Sequence, residues 1–434
     1  MTHRIVIVGG GAGGLELATR LGQRLGKRRQ AEIILVDSHL THMWKPLLHE
    51  VAAGSLNQAE NEFNYIAQAK WKHFQFQIGR MCGLDRKAKT IELAPLLNDD
   101  GSEAAPARRL AYDTLVMAIG SVTNDFNTPG AAEHCIFLDA PEQAERFHRQ
   151  LLAKYLAAHA GSNTQAELRI AIVGAGATGV ELAAELRNAA QQLSDYGLGN
   201  IAPENLHITV LDAGKRVLPA LPEHIGRDAH QTLEKLGVQV ITEAAVSRVT
   251  ADQLETKDGR VIPASLKVWA AGIKAPDFLQ GLDGLESNRI NQLVVRTTLQ
   301  TTLDDDIFVL GDCAACPMDD GSGKNVPPRA QAAHQQASLL AQSLAKRLQA
   351  PGQPLPHYRY RDYGSLVSLS RFSAVGNLMG NLMGSVKVEG WLARMFYISL
   401  YRMHQVALCG FFRTGLLMLS DRIGRRTDPR LKLH

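Results

Sequence analysis

Short apolar runs that close on glycine or on an acid recur along this chain, and they come in two matched sets. Arg4-Ile-Val-Ile-Val8 and Arg169-Ile-Ala-Ile-Val173 each run into a glycine cluster, then into a stretch with helical spacing, Leu15-Glu-Leu-Ala18 and Val180-Glu-Leu-Ala183. Continuous apolar runs of this length predict strands buried on both faces, the kind a parallel sheet uses. Each set continues with a β-rich run ending in an acid, Glu32-Ile-Ile-Leu-Val-Asp37 and Leu206-His-Ile-Thr-Val-Leu-Asp212. A later run in each ends in small residues, Tyr112-Asp-Thr-Leu-Val-Met-Ala-Ile-Gly120 and Leu266-Lys-Val-Trp-Ala-Ala-Gly-Ile273. Ile307-Phe-Val-Leu-Gly-Asp312 lies beyond the second set and is expected to complete the first, so that the second is an insertion into it. Asp99-Asp-Gly-Ser-Glu103 reads as a surface loop and Gly161-Ser-Asn-Thr164 as a linker.

The glycines give these sets their chemistry. Gly9, Gly11, Gly14 and Gly174, Gly176, Gly179 both have G-x-G-x-x-G spacing between a predicted strand and a predicted helix. In that setting the first glycine permits a tight turn, the second lets a pyrophosphate reach backbone N–H groups, and the third lets helix and strand pack closely. Two dinucleotides on one chain follow. Asp37 and Asp212 stand where an acid accepts hydrogen bonds from ribose hydroxyls and repels a 2′-phosphate, which favours NADH over NADPH; Lys215 and Arg216 blur the second case, and either acid could instead open a surface turn. The acid follows Gly9 by 28 residues but Gly174 by 38, and Gln191–Asn205 accounts for the difference as a lengthened helix and loop.

Composition changes this picture little. A chain of 434 residues, 45% hydrophobic and 21% charged, suits two or three folded domains, and a net charge of +4 falls short of a nucleic-acid signature. Five cysteines (Cys82, Cys135, Cys313, Cys316 and Cys409) do not make a disulfide framework, so a reducing compartment is expected. Met1-Thr-His-Arg4 leads directly into the first strand, without room for a signal segment, so export is not expected. Cys313 and Cys316 form C-x-x-C without a second pair at metal-site spacing; they read as structural, with redox sensing or metal binding as the alternatives, and no metal is expected.

Several polar residues are candidates for chemistry. Glu181 sits near the start of the second helix, where the dipole tolerates a carboxylate; the alternative is an ordinary helix-start acid like Glu16. Gln331 and Gln335 are four apart on a predicted helix, so both amides face one way and could bond a carbonyl. His334 could supply protons or be merely packed, and Asp312 could cap the helix that follows it.

With these motifs in hand, the chain resembles the type II NADH:quinone oxidoreductases, the non-pumping respiratory NADH dehydrogenases, most of all their gammaproteobacterial branch. The resemblance runs end to end, through Trp44-Lys-Pro-Leu-Leu-His-Glu50, Val268-Trp-Ala-Ala-Gly-Ile-Lys-Ala-Pro276, Gly311-Asp-Cys-Ala-Ala-Cys316, Pro327-Pro-Arg-Ala-Gln-Ala-Ala-His-Gln335 and Arg430-Leu-Lys-Leu-His434. It implies an α/β fold of the two-dinucleotide-binding flavoprotein type, with two Rossmann-like domains. FAD would be held non-covalently at the first fingerprint and NADH admitted as substrate at the second. The implied division is an FAD-binding domain in two parts, 1–165 and 287–356, around an NADH-binding domain at 166–286, followed by a membrane-association region at 357–434. Lys45, Gly120, Gly272, Gly311 and Asp312 join the two fingerprints and their acids as cofactor-binding residues, Asp312 near the ribityl and pyrophosphate. Glu181 would stand beside the nicotinamide and flavin. Gln331 and Gln335 would line the quinone end, and Lys387 is a weaker quinone-side candidate. Disulfide reductases of related architecture carry their reactive cysteine pair after the first unit, where Trp44–Gly54 has none.

The end of the chain points to a membrane. No run approaches the 18 to 20 apolar residues that span a bilayer. Residues 391–420 nevertheless concentrate Trp391, Phe396, Tyr397, Leu400, Met403, Phe411, Phe412, Leu416 and Leu417. At helical spacing Phe396, Leu400, Met403, Ala407 and Phe411 share one face, while Arg394, Arg402, Gln405 and Arg413 gather near another. Arg422, Arg425, Arg426, Arg430 and Lys432 follow, against Asp421 and Asp428. Such an amphipathic helical anchor suits a phospholipid surface, or else packs on the core or a dimer seam. The expectation is a peripheral protein on the cytoplasmic face of the bacterial inner membrane. It would pass electrons from NADH through FAD to ubiquinone or menaquinone without pumping protons; a homodimer is left open. A soluble flavoprotein reductase serving an iron–sulfur protein or oxygen, and a membrane-attached flavin sensor, are the alternatives.

Overall fold

The structure is a computed structural model. It describes residues 2–98, 100–160, 167–196, 203–369, 373–378, 386–389 and 401–427, so the 161–164 linker lies outside the described residues. The chain divides into two units, each assembled from three stretches. Met1–Met43, Glu62–Val122 and Ile273–Arg361 make the first; Trp44–Asn61, Thr123–Gly272 and Asp362–His434 make the second.

In the first unit the apolar runs form a parallel five-stranded sheet, in the order Ile307–Val309, Thr114–Met117, His3–Val8, Ala31–Asp37, Gln75–Ile78. Its central strand is sealed on both faces, with Ile5 to Val8 at most 4% exposed, as the uninterrupted Ile-Val-Ile-Val run requires. The second unit repeats the design in the order Ile136–Phe137, Leu266–Trp269, Leu168–Val173, Leu206–Leu211, Val238–Ile241. One edge differs. The place that Ile307–Val309 takes from downstream in the first sheet is taken from upstream by Ile136–Phe137 in the second. The second unit therefore reaches back to Thr123 and includes the helix Pro141–Ala160, ahead of the expected start at 166.

The repeat extends to single hydrogen bonds. Gly9 N donates to Val36 O at 2.8 Å and Gly174 N to Leu211 O at 2.7 Å; Ala118 N donates to Val8 O, and Ala270 N to Val173 O, both at 2.7 Å. Each unit also carries a three-stranded antiparallel meander before its returning central strand, at 81–111 in the first and 246–263 in the second. The fingerprint helices are Ala12–Leu21 and Ala177–Asp195. The second is the longer, as its spacing to Asp212 predicts; of the loop beyond, 197–202 lie outside the described residues.

The C-terminal stretch does not open as a helix. It begins with an antiparallel sheet of Gly364–Leu369, Ser373–Leu378 and Val386–Glu389, and only then come helices at 401–409 and Phe411–Thr427. Gly364, Ser365 and Ser368 in the first strand and Ser373, Gly376 and Asn377 in the second fall out of step with strict alternation, and the third strand is only four residues long, so the period-2 signal on which recognition from sequence depends is weak. Gly410, at φ +85°, separates the two helices, so Met403 and Ala407 lie on the first and Phe411 on the second; Phe396 and Leu400 lie outside the described residues. Among the described residues, no helix is long and apolar enough to cross a membrane.

Candidate functional site

Each glycine turn is built to the same plan. Gly9 has φ +101° and Gly174 φ +109°, conformations that side chains rarely adopt. A Cβ on Gly14 would lie 1.9 Å from Gly9 O, and one on Gly179 2.0 Å from Gly174 O, so both helices start pressed against their own turns. Gly11 and Gly176 behave oppositely: a Cβ there would meet nothing within 4 Å. They are the N-caps of the two helices, without a side-chain cap and without an acid in the first turn. The leading N–H groups of both helices are thus uncapped by side chains, beside open space, at the positive end of a dipole. That is a cradle for a pyrophosphate, and the residues present fit a dinucleotide at each turn.

The acids behind the turns are matched too. Asp37 Oδ2 accepts from Gly10 N at 2.6 Å and Oδ1 from His39 N at 2.9 Å. Asp212 Oδ2 accepts from Ala175 N at 2.6 Å and Oδ1 from Gly214 N at 2.7 Å. Each carboxylate therefore braces the glycine loop, with lone pairs remaining for a ribose. Arg216, which clouded the second case, donates to the carbonyls of Leu218, Pro219 and Leu221 and so ties down its own loop. Sequence reasoning missed Tyr65, whose hydroxyl donates to Gly10 O at 2.8 Å from a buried position, where burial raises its pKa far above the usual phenol value.

The chain matches the pyridine nucleotide-disulphide oxidoreductase family over residues 3–337. It is 46% identical to the type II NADH:quinone oxidoreductase of Haemophilus influenzae, over 99% of each chain. The chain belongs to the type II NADH:quinone oxidoreductase family. A second relative bearing that description, from Mycobacterium tuberculosis, is 29% identical over 94% of this chain and 84% of its own. The fold matches that of Plasmodium falciparum NDH2, solved in complex with NADH, with a TM-score of 0.85 at 18% identity over the whole of both chains.

In this type II family member the other candidates lie as follows. Gly120 has φ +76° beside open space, and Gly311, φ +75°, donates its N–H to Gln336 Oε1 at 2.7 Å. Asp312 accepts from Ser121 Oγ at 2.8 Å. It is not a helix cap: it lies inside the short 3-10 turn Gly311–Cys313, capped by Leu310, and the long helix begins only at Ala330. Gly272 has φ +68°, and a Cβ there would lie 2.4 Å from the Phe126 ring. Lys45 pairs with Asp139 at 3.0 Å, an acid that also accepts from Thr123 N and Oγ1.

Gln331 and Gln335 share one side of the helix Ala330–Gln349 and both are half-buried. The Gln335 amide, however, is committed to backbone: Nε2 donates to Arg361 O at 2.8 Å and Oε1 accepts from Arg361 N at 3.0 Å. A quinone carbonyl bonded there would share or displace those bonds. His334, on the same helix, places Nδ1 2.5 Å from Glu16 Oε2. Glu16 is fully buried, and its other oxygen accepts from Arg20 at 2.7 Å. It is therefore no helix-start acid, because it locks the fingerprint helix to the Ala330–Gln349 helix.

Glu181 occupies the matching position in the second unit and is also buried. It opens a polar stripe along its helix, Glu181, Glu185, Asn188 and Gln192, all buried at i, i+4, i+7 and i+11. Sequence pattern does not single this stripe out, because apolar residues are what such a seam ordinarily carries. Asn188 Nδ2 donates to Glu185 Oε1 at 3.1 Å.

Cys313 and Cys316 are buried, their thiol pKa values pushed up to about 11 and about 12 by burial, so both are protonated thiols rather than reactive thiolates. Among the described residues no cluster could hold a metal. Lys387 lies on the Val386–Glu389 strand, where side-chain contacts are outside the description, as are Trp391, Arg394, Phe396, Tyr397, Leu400, Arg430 and Lys432. Of the described tail, Phe411 and Phe412 are 85% and 83% exposed, and Leu416, Met418 and Leu419 are exposed with them. Gln405, placed with the polar face from sequence, is instead buried beside His404 and accepts from Arg402 at 2.6 Å.

Proposed function

We propose that the protein oxidises NADH and reduces a membrane quinone, ubiquinone or menaquinone, without pumping protons. The observation that carries this is the pair of open, uncapped helix starts at Gly11 and Gly176, each backed by a carboxylate that braces its turn. In this reading Gly9, Gly11, Gly14, Asp37, Gly120, Gly311 and Asp312 hold FAD in the first unit, and Gly174, Gly176, Gly179, Asp212 and Gly272 receive NADH in the second. The flavin, when bound, supplies a carrier that takes a hydride and gives up two electrons.

The chain's own residues bind and orient. Uncapped N–H groups meet each pyrophosphate, and Asp212 is unsuited to a 2′-phosphate because of its charge. Glu181 orients the nicotinamide, while Gln331 and Gln335 shape the quinone end, Gln335 through its hold on Arg361. The exposed Phe411, Phe412 and Leu416 enter the interface of an anionic membrane, on its cytoplasmic face, where an isoprenoid quinone is at hand. The full-length protein carrying FAD in detergent tests this. NADH added without oxygen should bleach the flavin absorbance, and a short-chain ubiquinone should restore it. Failure to bleach overturns the reading; bleaching that no quinone reverses replaces it with a reductase for another acceptor.

A further inference from the structure

The two glycine turns differ at one peptide. In each, the carboxylate behind the turn accepts from the N–H of the residue between the first two glycines, Gly10 in the first unit and Ala175 in the second. The carbonyl of that residue is held differently in the two. Ala175 O accepts from a main-chain donor, Leu218 N at 2.9 Å. Gly10 O accepts from side chains, the Tyr65 hydroxyl at 2.8 Å and the His42 ring. Tyr65 opens the helix Tyr65–Lys72, and His42 lies on the short strand Thr41–His42, which pairs with Phe63–Asn64.

Both donors are sealed in place. Tyr65 is 3% exposed and His42 4%. The Tyr65 ring stacks on Phe76 with centroids 5.1 Å apart, and the His42 ring on Phe63 at 6.5 Å. Burial lowers the His42 pKa to about 4, so at neutral pH the ring is uncharged and its single N–H is the one given to Gly10 O. The fit also explains a glycine that the G-x-G-x-x-G spacing does not require. A Cβ on Gly10 would lie 2.3 Å from the Tyr65 hydroxyl oxygen and 2.4 Å from its Cζ, whereas the second turn carries Ala175 at the same step.

A peptide group is planar and trans, so its C=O and N–H point in opposite directions. Asp37 therefore fixes the Gly9–Gly10 peptide, while Tyr65 and His42 fix the Gly10–Gly11 peptide, whose N–H leads into the fingerprint helix. That N–H is turned away from the two rings before a ligand arrives, and a donor fixed in advance lowers the ordering cost of binding.

We propose that Tyr65 and His42 are positioning residues of the first turn, which hold the Gly10 carbonyl and so aim the Gly11 N–H at the FAD pyrophosphate. The proposal rests on the reading that this turn, and not the second, holds FAD.

The test is the FAD Kd of the full-length holoenzyme, read from the return of flavin fluorescence on dilution, beside the melting temperature of the FAD-free protein. Tyr65→Phe removes one oxygen and leaves the ring on Phe76. It should raise the FAD Kd about fivefold, the rough worth of one hydrogen bond. His42→Leu should act in the same direction. The double variant should lose more than the product of the two, because either donor alone still holds the carbonyl. A lower melting temperature with a wild-type Kd would make the hydroxyl merely structural and overturns the proposal, as do losses that only multiply. Gly11→Ala in the same assay keeps the two readings apart. If it too holds FAD like wild type, the placing of FAD at this turn fails; a weakened Gly11→Ala beside an unaffected Tyr65→Phe overturns the clamp alone. Should His42→Leu not fold, Tyr65→Phe decides by its Kd and melting temperature.

Discussion

The two kinds of glycine in each turn predict opposite failures. Gly11→Ala adds a methyl at φ −63° with nothing within 4 Å. The fold should lose roughly 0.5–1 kcal/mol, the difference between glycine and alanine at an N-cap, but the methyl stands on the open face that the pyrophosphate needs. Gly14→Ala puts its methyl 1.9 Å from Gly9 O, where ordinary contact begins at 3.4 Å. The Gly9 carbonyl has little room to retreat: its N–H is held by Val36 O, and the space behind Gly9 is taken by Ala118 O. Overpacking of this kind costs about 1–3 kcal/mol, roughly a 3–10 °C fall in melting temperature for a unit this size. The assay is FAD content and affinity, together with the melting temperature of FAD-free protein. Gly11→Ala should melt only slightly below wild type without FAD yet bind it about a hundredfold more weakly, a loss of roughly 2.7 kcal/mol; Gly14→Ala should melt lower still before any FAD is added. In the second unit Gly176→Ala should keep its FAD and raise the NADH KM, while Gly179→Ala should destabilise. The reasoning is refuted if the two FAD-free proteins of the first unit melt alike, or if Gly11→Ala keeps wild-type affinity.

Three further outcomes are expected. His42 and His49 are both buried, with pKa values lowered by burial from 6.5 to about 4. The unfolded chain then binds protons that the folded chain refuses, so the stabilisation is full above pH 6.5 and is lost as pH falls towards 4, by about 3 kcal/mol for each histidine. Urea midpoints across that window should show this slope, and His49→Gln should flatten it by roughly half. Replacing both Phe411 and Phe412 by serine removes two exposed rings worth about 2 kcal/mol each if buried in lipid; sedimentation with anionic phospholipid vesicles should weaken by a hundredfold or more, and unchanged sedimentation would remove these rings from the membrane contact. His404→Ala takes away the ring facing Trp44, so limited proteolysis between 44 and 54 should speed up, with a stability loss of about 1–2 kcal/mol; equal cleavage rates would show that the segment is held elsewhere.

Much of the fold was legible because it is written in short-range terms. Apolar runs buried on both faces announce parallel strands, and glycines at fixed spacing announce the turn between strand and helix. The duplicated sheet, its acids and the longer second helix could all be read that way. The C-terminal sheet could not, since two of its strands carry serine, glycine or asparagine out of step with alternation and the third is only four residues long. Nor could Gly410 be seen to split the tail helices, because a lone glycine in a helical pattern breaks it only where the backbone turns left-handed.

The site shows the limit most sharply in its two buried glutamates. Glu16 and Glu181 stand at the same step of the same motif, two residues after the third glycine, and local pattern assigns them one reading. What separates them arrives from far along the chain. His334, 318 residues away in sequence, meets Glu16 at 2.5 Å and, with Arg20, satisfies its charge, which leaves that carboxylate a clamp between helices. Glu181 is faced by the neutral ring of His49, on a segment that carries no dinucleotide motif, and by a second buried carboxylate one turn on. A carboxylate held between Arg20 on its own helix and His334 on another is fixed in place as a clamp, whereas Glu181 opens a stripe of buried polar groups along its own helix. The same motif step thus yields two different environments because the partners come from outside the motif, and only the tertiary fold delivers them.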